Sequence, residues 1–403
     1  MKNYVPFVLA VILLSACIGV SACAPASSSS QAASESSQAT DASSAASAES
    51  SAASDDSSQT NAESSAASAD SSAAATSAAA VDQQTASSSA AEGKVRIGVA
   101  WRPNQQSLSY VSTCRALEAA GIDYVVLNQV LSPDFTYDAN NKLTTGKTEA
   151  GTLTAEAGKL VRCNTWQDSD VANMLEGINA VVFPGGEDIS PSLYYAPQEL
   201  ANLEGEDYSA ERDVSDFLLM SYCLEHDIPL MAICRGMQVL SVVSGAEMEQ
   251  DIPTWFAEQG LEYQNEHRQL PDEQGNRDFT ATDIQIDTDS ILYSIVQKDS
   301  LDNCPCWHHQ VVRSVEGTRL DVAAHTVTEG VEMIETVERT DKTYAIGVQF
   351  HPEISITKVL DGEANASDYL DYDTALLLFE RLKQEAYRQL EEDPDNLGLR
   401  PAA

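Results

Sequence analysis

Met231-Ala232-Ile233-Cys234-Arg235-Gly236-Met237-Gln238 decides the fold. Pro229 to Ile233 is a short apolar run with the length of a buried strand, and the run that follows Cys234 is helical in pattern. A strand that turns sharply into a helix at a cysteine is a nucleophile elbow: small residues permit the strained turn, and the side chain stands clear of the sheet. The unpaired N–H groups and dipole of the following helix N-terminus favour a thiolate there. Upstream, Arg212 to His226 reads as an amphipathic helix and Ala180-Val-Val-Phe183 as a strand running into Pro184-Gly185-Gly186. Lys94 to Trp101 and Ile122 to Leu127 read as two earlier strands, separated by a helix over Ser107 to Ala120 that stops at Gly121. Downstream, strands are expected over 283–287, 320–324, 331–337 and 344–350, and a closing helix over 373–390.

Alternation of this kind predicts an α/β domain with a mainly parallel sheet flanked by helices. Hairpin spacing among the later strands adds a small antiparallel portion. The stretch from about 131 to 166 is polar and weakly periodic, which suggests an insertion.

The chain carries 62 acidic and 23 basic side chains over 403 residues, a formal charge of −39. Residues 24–93 are about 70% Ala and Ser, with nine acids and no Lys, Arg, Trp, Tyr or Phe. Such a segment has too little apolar surface to offset its ordering entropy and is expected to be a disordered tether. At about 5–6 Å × √n it would reach on the order of 45 Å. Residues 94–403 keep a net charge of −31, which repels phosphates and excludes nucleic acid as a partner.

Residues 1–23 read as a lipoprotein-type signal. Lys2 precedes an apolar run from Val5 to Leu14 that is too short to span a bilayer. The run leads into Leu14-Ser-Ala-Cys17 and then Val20-Ser-Ala-Cys23, both resembling the bacterial lipobox. Lipidation of Cys17 or Cys23 would anchor the exported protein on the outer face of a cell membrane, each buried methylene adding roughly 0.8 kcal/mol. The membrane is then a partner only through that lipid.

Six further cysteines remain. Cys223 falls on an apolar helix face and is expected to be a buried thiol, whereas Cys304 or Cys306 could bridge Cys163. The six histidines are scattered along the chain, and their spacing shows no metal set.

A cysteine nucleophile needs a base, and the base needs an orienting acid. The strand ending at Phe350 is followed by His351-Pro352-Glu353, which displays an imidazole and a carboxylate together. Gly185 and Gly186, at the end of another strand, let backbone N–H groups approach a reacting carbonyl.

These blocks together resemble the class I glutamine amidotransferase-like hydrolases, specifically the peptidase C26 family that includes gamma-glutamyl-gamma-aminobutyrate hydrolase. The resemblance runs from Lys94 to about Ile356. It comprises Pro184 to Tyr194, Arg212-Asp213, Ile233 to Gln238, Gln250-Asp-Ile252, His308-His309-Gln310, Gly330 to Glu335 and Val348 to Glu353. It implies a flavodoxin-like sheet, with Cys234 as nucleophile, His351 as base and Glu353 as its orienting acid. It also implies an oxyanion hole from the N–H groups of Gly186 and Arg235, and no cofactor. Gly185, Gln238, His308 and His309 become candidates for substrate contact.

The chain departs from the family in having Ala232 where the elbow usually begins with Gly, and Cys304-Pro-Cys-Trp307 before the double histidine. It also has a longer loop after Leu131. The last two would reshape the pocket mouth. The expected activity is hydrolysis of a γ-glutamyl amide in a small molecule or peptide, through a thioester on Cys234. The alternatives are a glutaminase subunit serving a separate synthase, and an inactive surface binding module.

Overall fold

The computed structural model describes residues 95–163, 166–201, 206–270 and 278–392. The expected signal and tether, with Cys17 and Cys23, lie outside those residues. Among the described residues no helix is long and apolar enough to cross a membrane.

The chain opens β1 (Arg96–Val99), α1 (Leu108–Ala119), β2 (Asp123–Val126), α2 (Ala155–Cys163), α3 (Val171–Met174) and β3 (Ala180–Phe183). It continues through α4 (Ala210–Glu225), β4 (Leu230–Ile233), α5 (Arg235–Val243), β5 (Glu247–Glu249), α6 (Ile252–Glu258) and β6 (Thr280–Ile286). Then come α7 (Ile291–Val296), β7 (Ser300–Cys306), β8 (Val311–Ser314), β9 (Leu320–Thr328) and β10 (Val331–Arg339). The last elements are β11 (Ala345–Val348), α8 (Pro352–Asp361) and α9 (Tyr372–Glu392).

Nine strands form one sheet in the order β2-β1-β3-β4-β11-β10-β9-β6-β7. From β2 to β11 all pairings are parallel. Read along that half, the order is the flavodoxin-like 2-1-3-4-5, whose sites lie beyond the carboxyl ends of the strands. The remaining strands, β10, β9, β6 and β7, continue the sheet antiparallel. β5 and β8 make a separate antiparallel pair.

The inner parallel strands β3, β4 and β11 are buried on both faces, and their two-residue period divides the core. Val181, Phe183, Leu230 and Ala232 pack on one side with Val214 and Leu218 of α4 and Met237 and Leu240 of α5. Ala180, Val182, Met231 and Ile233 face the other side with Leu117 of α1, Ile356 of α8 and Phe379 and Leu382 of α9. Gly347 is unfavourable in a strand by propensity, but a Cβ there would lie 2.9 Å from the Met237 Cβ. The missing side chain is what lets α5 sit down on β11.

Two sequence expectations change. The 131–166 insertion is not wholly irregular, because its end forms α2. The Cys163 bridge is absent: Cys163 is exposed at the end of α2, Cys304 and Cys306 are buried in β7, and no disulfide joins them. Cys223 is buried in α4, as expected.

Candidate active site

Cys234 follows the last residue of β4 and forms the N-cap of α5 with φ 50° and ψ −108°. A non-glycine residue with positive φ at a strand–helix junction is the strained elbow geometry. Its amide donates to the Val348 carbonyl at 2.7 Å, which ties the elbow to β11. β4 and β11 are adjacent and parallel with Ile233 opposite Val348, so their ends deliver Cys234 and His351 to one place.

His351 is the N-cap residue of α8, and its amide donates to the Pro305 carbonyl at 2.7 Å. Its Nδ1 meets Glu353 Oε1 at 2.7 Å. Because the carboxylate accepts, Nδ1 carries the proton, and Nε2 is left for chemistry. Burial acts to lower the imidazole pKa, but Glu353 and Cys234 outweigh it and raise the pKa to about 10. Phe279 packs edge-on against the ring with centroids 5.2 Å apart, and against Trp307 at 5.4 Å. Cys234 Sγ lies 3.9 Å from the Trp307 carbonyl.

Gly185 and Gly186 occupy the end of β3. A Cβ on Gly185 would lie 2.8 Å from His351 Cε1 and 3.4 Å from the Cys234 Cβ, so this residue stands against both reacting groups. Gly186 adopts φ 148°, and a Cβ there would fall 1.9 Å from Arg212 Nη1. Only glycine suits that backbone and that space. The Arg235 N–H belongs to the first turn of α5, where no intrahelical acceptor exists.

Beneath this surface lies a buried ion network. Arg212 reaches Glu187 at 2.5 Å and Asp216 at 3.2 Å, and donates to the Pro184 carbonyl at 2.8 Å. Arg102 reaches Glu187 at 2.9 Å. Arg235 pairs with Asp213 at 2.7 Å and also with Asp216, while Asp213 accepts from the Ser190 hydroxyl and amide. Burial alone would raise the Glu187 pKa, but the Arg212 and Arg102 guanidiniums outweigh it and hold the carboxyl well below its usual range. The network fixes the Gly-Gly turn to α4 and α4 to the first turn of α5. Arg212 and Asp213 are neighbours in sequence, and their pairing across three elements is visible only in the fold.

The remaining candidates sit differently. Gln238 is buried, and its amide nitrogen donates to the Gln310 carbonyl at 3.2 Å. His309 is surrounded by Asp188 at 3.0 Å, Glu206 at 3.1 Å and Asp251 at 3.2 Å. Burial lowers its pKa, but the three carboxylates outweigh that and raise it to about 11, which makes it an imidazolium at neutral pH. His308 is buried with its Nδ1 donating to the Gln310 carbonyl at 3.0 Å. Both histidines line a cavity of about 220 Å³ with Tyr263 and Arg268. His308 also approaches His267 and Glu335, although these residues are far apart in the chain.

A family model for peptidase C26 matches residues 148–353, slightly more than half of the chain. The chain is a member of the peptidase C26 family. Protein NtpR of Enterococcus hirae is 31% identical over 181 residues, covering 45% of this chain and 69% of that protein. The putative glutamine amidotransferase Rv2859c of Mycobacterium tuberculosis is 31% identical over 186 residues, covering 46% of this chain and 54% of that one. The gamma-glutamyl-gamma-aminobutyrate hydrolase PuuD of Escherichia coli is 27% identical over 188 residues, covering 46% and 68%. Membership supports a glutamine amidotransferase-like hydrolase activity. In this C26 chain the matched segment includes β3, the elbow and His351 to Glu353, and starts after β2.

Proposed function

We propose that this C26 protein hydrolyses γ-glutamyl amide bonds. The reading rests on one observation above all: Cys234 sits on a positive-φ elbow beside a histidine whose Nδ1 is held by a buried glutamate. The Cys234 thiolate attacks the γ-carbonyl carbon, and the C=O π pair moves onto oxygen. The N–H groups of Gly186 and Arg235 receive that oxyanion, an interaction worth roughly 3–4 kcal/mol per donor. As the C–N bond breaks, His351 transfers its Nε2 proton to the leaving amine, and a thioester forms. The neutral imidazole then takes a proton from water as the hydroxide adds to the thioester. Collapse releases the γ-carboxylate and restores the thiolate–imidazolium pair. Glu353 keeps the ring in the tautomer this cycle needs.

Export and lipid attachment through Cys17 or Cys23 belong to the same proposal, supported by the N-terminal sequence. The enzyme would then meet γ-glutamyl compounds outside the cell.

The test is a mass-spectrometric screen of γ-glutamyl amines and peptides with the purified protein, with hydroxylamine added to capture the acyl-enzyme as a hydroxamate. Cys234→Ala and His351→Ala should each remove nearly all turnover, and Glu353→Gln should cost less because it disturbs orientation only. Rapid alkylation of Cys234 should disappear in His351→Ala. Undiminished hydrolysis by Cys234→Ala would overturn the proposal.

A further inference from the structure

Two clusters outside the reacting groups bring histidine and carboxylates together among the described residues: His267, His308 and Glu335, and Asp188, Glu206 and His309. Their polar atoms are satisfied differently. In the second cluster both His309 nitrogens contact carboxylates, and Arg268 supplies Glu206 with another cation at 2.9 Å. An imidazolium among acids is self-sufficient there.

The first cluster is not self-sufficient. His267 and Glu335 are fully buried and His308 is nearly so. His267 Nε2 lies 3.0 Å and His308 Nε2 4.0 Å from Glu335 Oε1. Yet neither Nε2, nor either Glu335 carboxylate oxygen, makes a hydrogen bond in the structure. A buried carboxylate that accepts no well-formed hydrogen bond is strongly disfavoured. The opposite ring nitrogens are engaged: His308 Nδ1 donates to the Gln310 carbonyl at 3.0 Å, and His267 Nδ1 meets the Tyr263 hydroxyl at 2.9 Å. For His308 the Nδ1 proton leaves Nε2 with its lone pair exposed, the arrangement by which an outer partner orients a metal-binding imidazole. Two imidazoles and one carboxylate are also a donor set that zinc accepts.

We propose that His267 Nε2, His308 Nε2 and Glu335 bind a divalent transition metal ion, zinc foremost. Tetrahedral bonds of about 2.1 Å would place ligand atoms about 3.4 Å apart. The 3.0 and 4.0 Å separations bracket that spacing, and all three ligand atoms lie within 4.8 Å of one another. Of the three ligands, His308 also lines the cavity of about 220 Å³ that it shares with Tyr263 and Arg268. The metal would join three distant segments: the loop holding Tyr263 and His267, the residue after Trp307, and β10. Glu335 also accepts the Gln349 amide through its backbone carbonyl at 2.8 Å, two residues before His351. The ion therefore braces the wall of the active site without touching the reacting atoms.

The full-length protein, carrying Cys234→Ala so that the nucleophile does not compete, is stripped with a chelator and titrated with zinc or with cobalt(II). One equivalent of metal per chain is expected, with the ligand-field absorption of a four-coordinate cobalt site. Saturating zinc should raise the melting temperature by about 5 °C, since a ligand specific to the native state stabilises it. His308→Ala and the near-isosteric Glu335→Gln should both abolish stoichiometric binding, and His309→Ala should retain it. Less than one-tenth of an equivalent bound to the folded parent overturns the proposal. So does binding that survives Glu335→Gln, or binding lost only in His309→Ala.

Discussion

Arg235 is the residue after the nucleophile, and replacing it with methionine tests whether the buried ion network holds the elbow. Its guanidinium is 1% exposed and serves Asp213 and Asp216 at once. Asp216 would keep Arg212, and Asp213 would keep only the Ser190 hydroxyl and amide. Removing one partner of a buried pair leaves an uncompensated charge, at a cost of about 3–5 kcal/mol. For a domain of this size, that corresponds to a fall in melting temperature of roughly 6–10 °C. The penalty should depend on pH with a definite sign. Burial already raises the Asp213 pKa against the pull of Arg235, and without Arg235 the pKa rises further. A carboxyl whose folded pKa lies above its unfolded value destabilises most when ionised, so Arg235→Met should be less harmful at pH 5 than at pH 8. Arg235→Lys should recover only part of the loss, because one ammonium cannot serve two carboxylates as a planar fork does. Adding Asp213→Asn to Arg235→Met should raise the melting temperature above that of the single variant. Differential scanning calorimetry across that pH range decides the matter. A single variant within about 2 °C of the parent, or a double variant less stable than the single, would refute the account.

Gly185→Ala should lower kcat by about 100-fold with little change in melting temperature, since the new methyl displaces His351 from Cys234 rather than unpacking the core; kinetics and calorimetry on one preparation check both halves. The His309 pKa is raised to about 11, so its stabilisation is fully present below pH 6.5 and is lost as pH rises through about 11. Urea unfolding between pH 6 and 11 should show that slope, and His309→Gln should flatten it. Replacing both Cys17 and Cys23 with Ser should move the protein from the membrane fraction to the soluble fraction, and unchanged detergent-dependent fractionation would refute lipid attachment.

The parallel half of the sheet was readable in the sequence because its strands are short, apolar and bounded by turns. Ala180–Phe183 and Leu230–Ile233 stand almost where pattern alone puts them. The antiparallel half was less legible. Ser300–Cys306 is a strand with Asp, Asn and Pro in it, held by pairing with β6 rather than by local propensity. The short α6 and α7 have N-caps in Asp251 and Ser290, whose side chains accept from Thr254 and Tyr293; those caps were a usable signal. At the site, the juxtaposition of His351 and Glu353 follows from two-residue spacing and was visible. His267 was not, because no spacing relates it to His308 or Glu335. Only the route of the loop after α6 brings it there, as the His308 amide bonds the His267 carbonyl at 2.9 Å.

The register of β4 against β11 has a consequence for how this enzyme can diversify. Nucleophile and base follow neighbouring parallel strands paired Ile233 to Val348, so the spacing of strands in a sheet, about 4.8 Å, fixes how far apart the strand ends that carry them stand. Backbone hydrogen bonds hold that ruler, with the Cys234 amide on the Val348 carbonyl and the His351 amide on the Pro305 carbonyl of β7. The 131–166 insertion can therefore lengthen, shorten or be exchanged without retuning the attack distance. Chimeras that graft that insertion from another C26 protein would inherit a foreign substrate range on unchanged thiol chemistry.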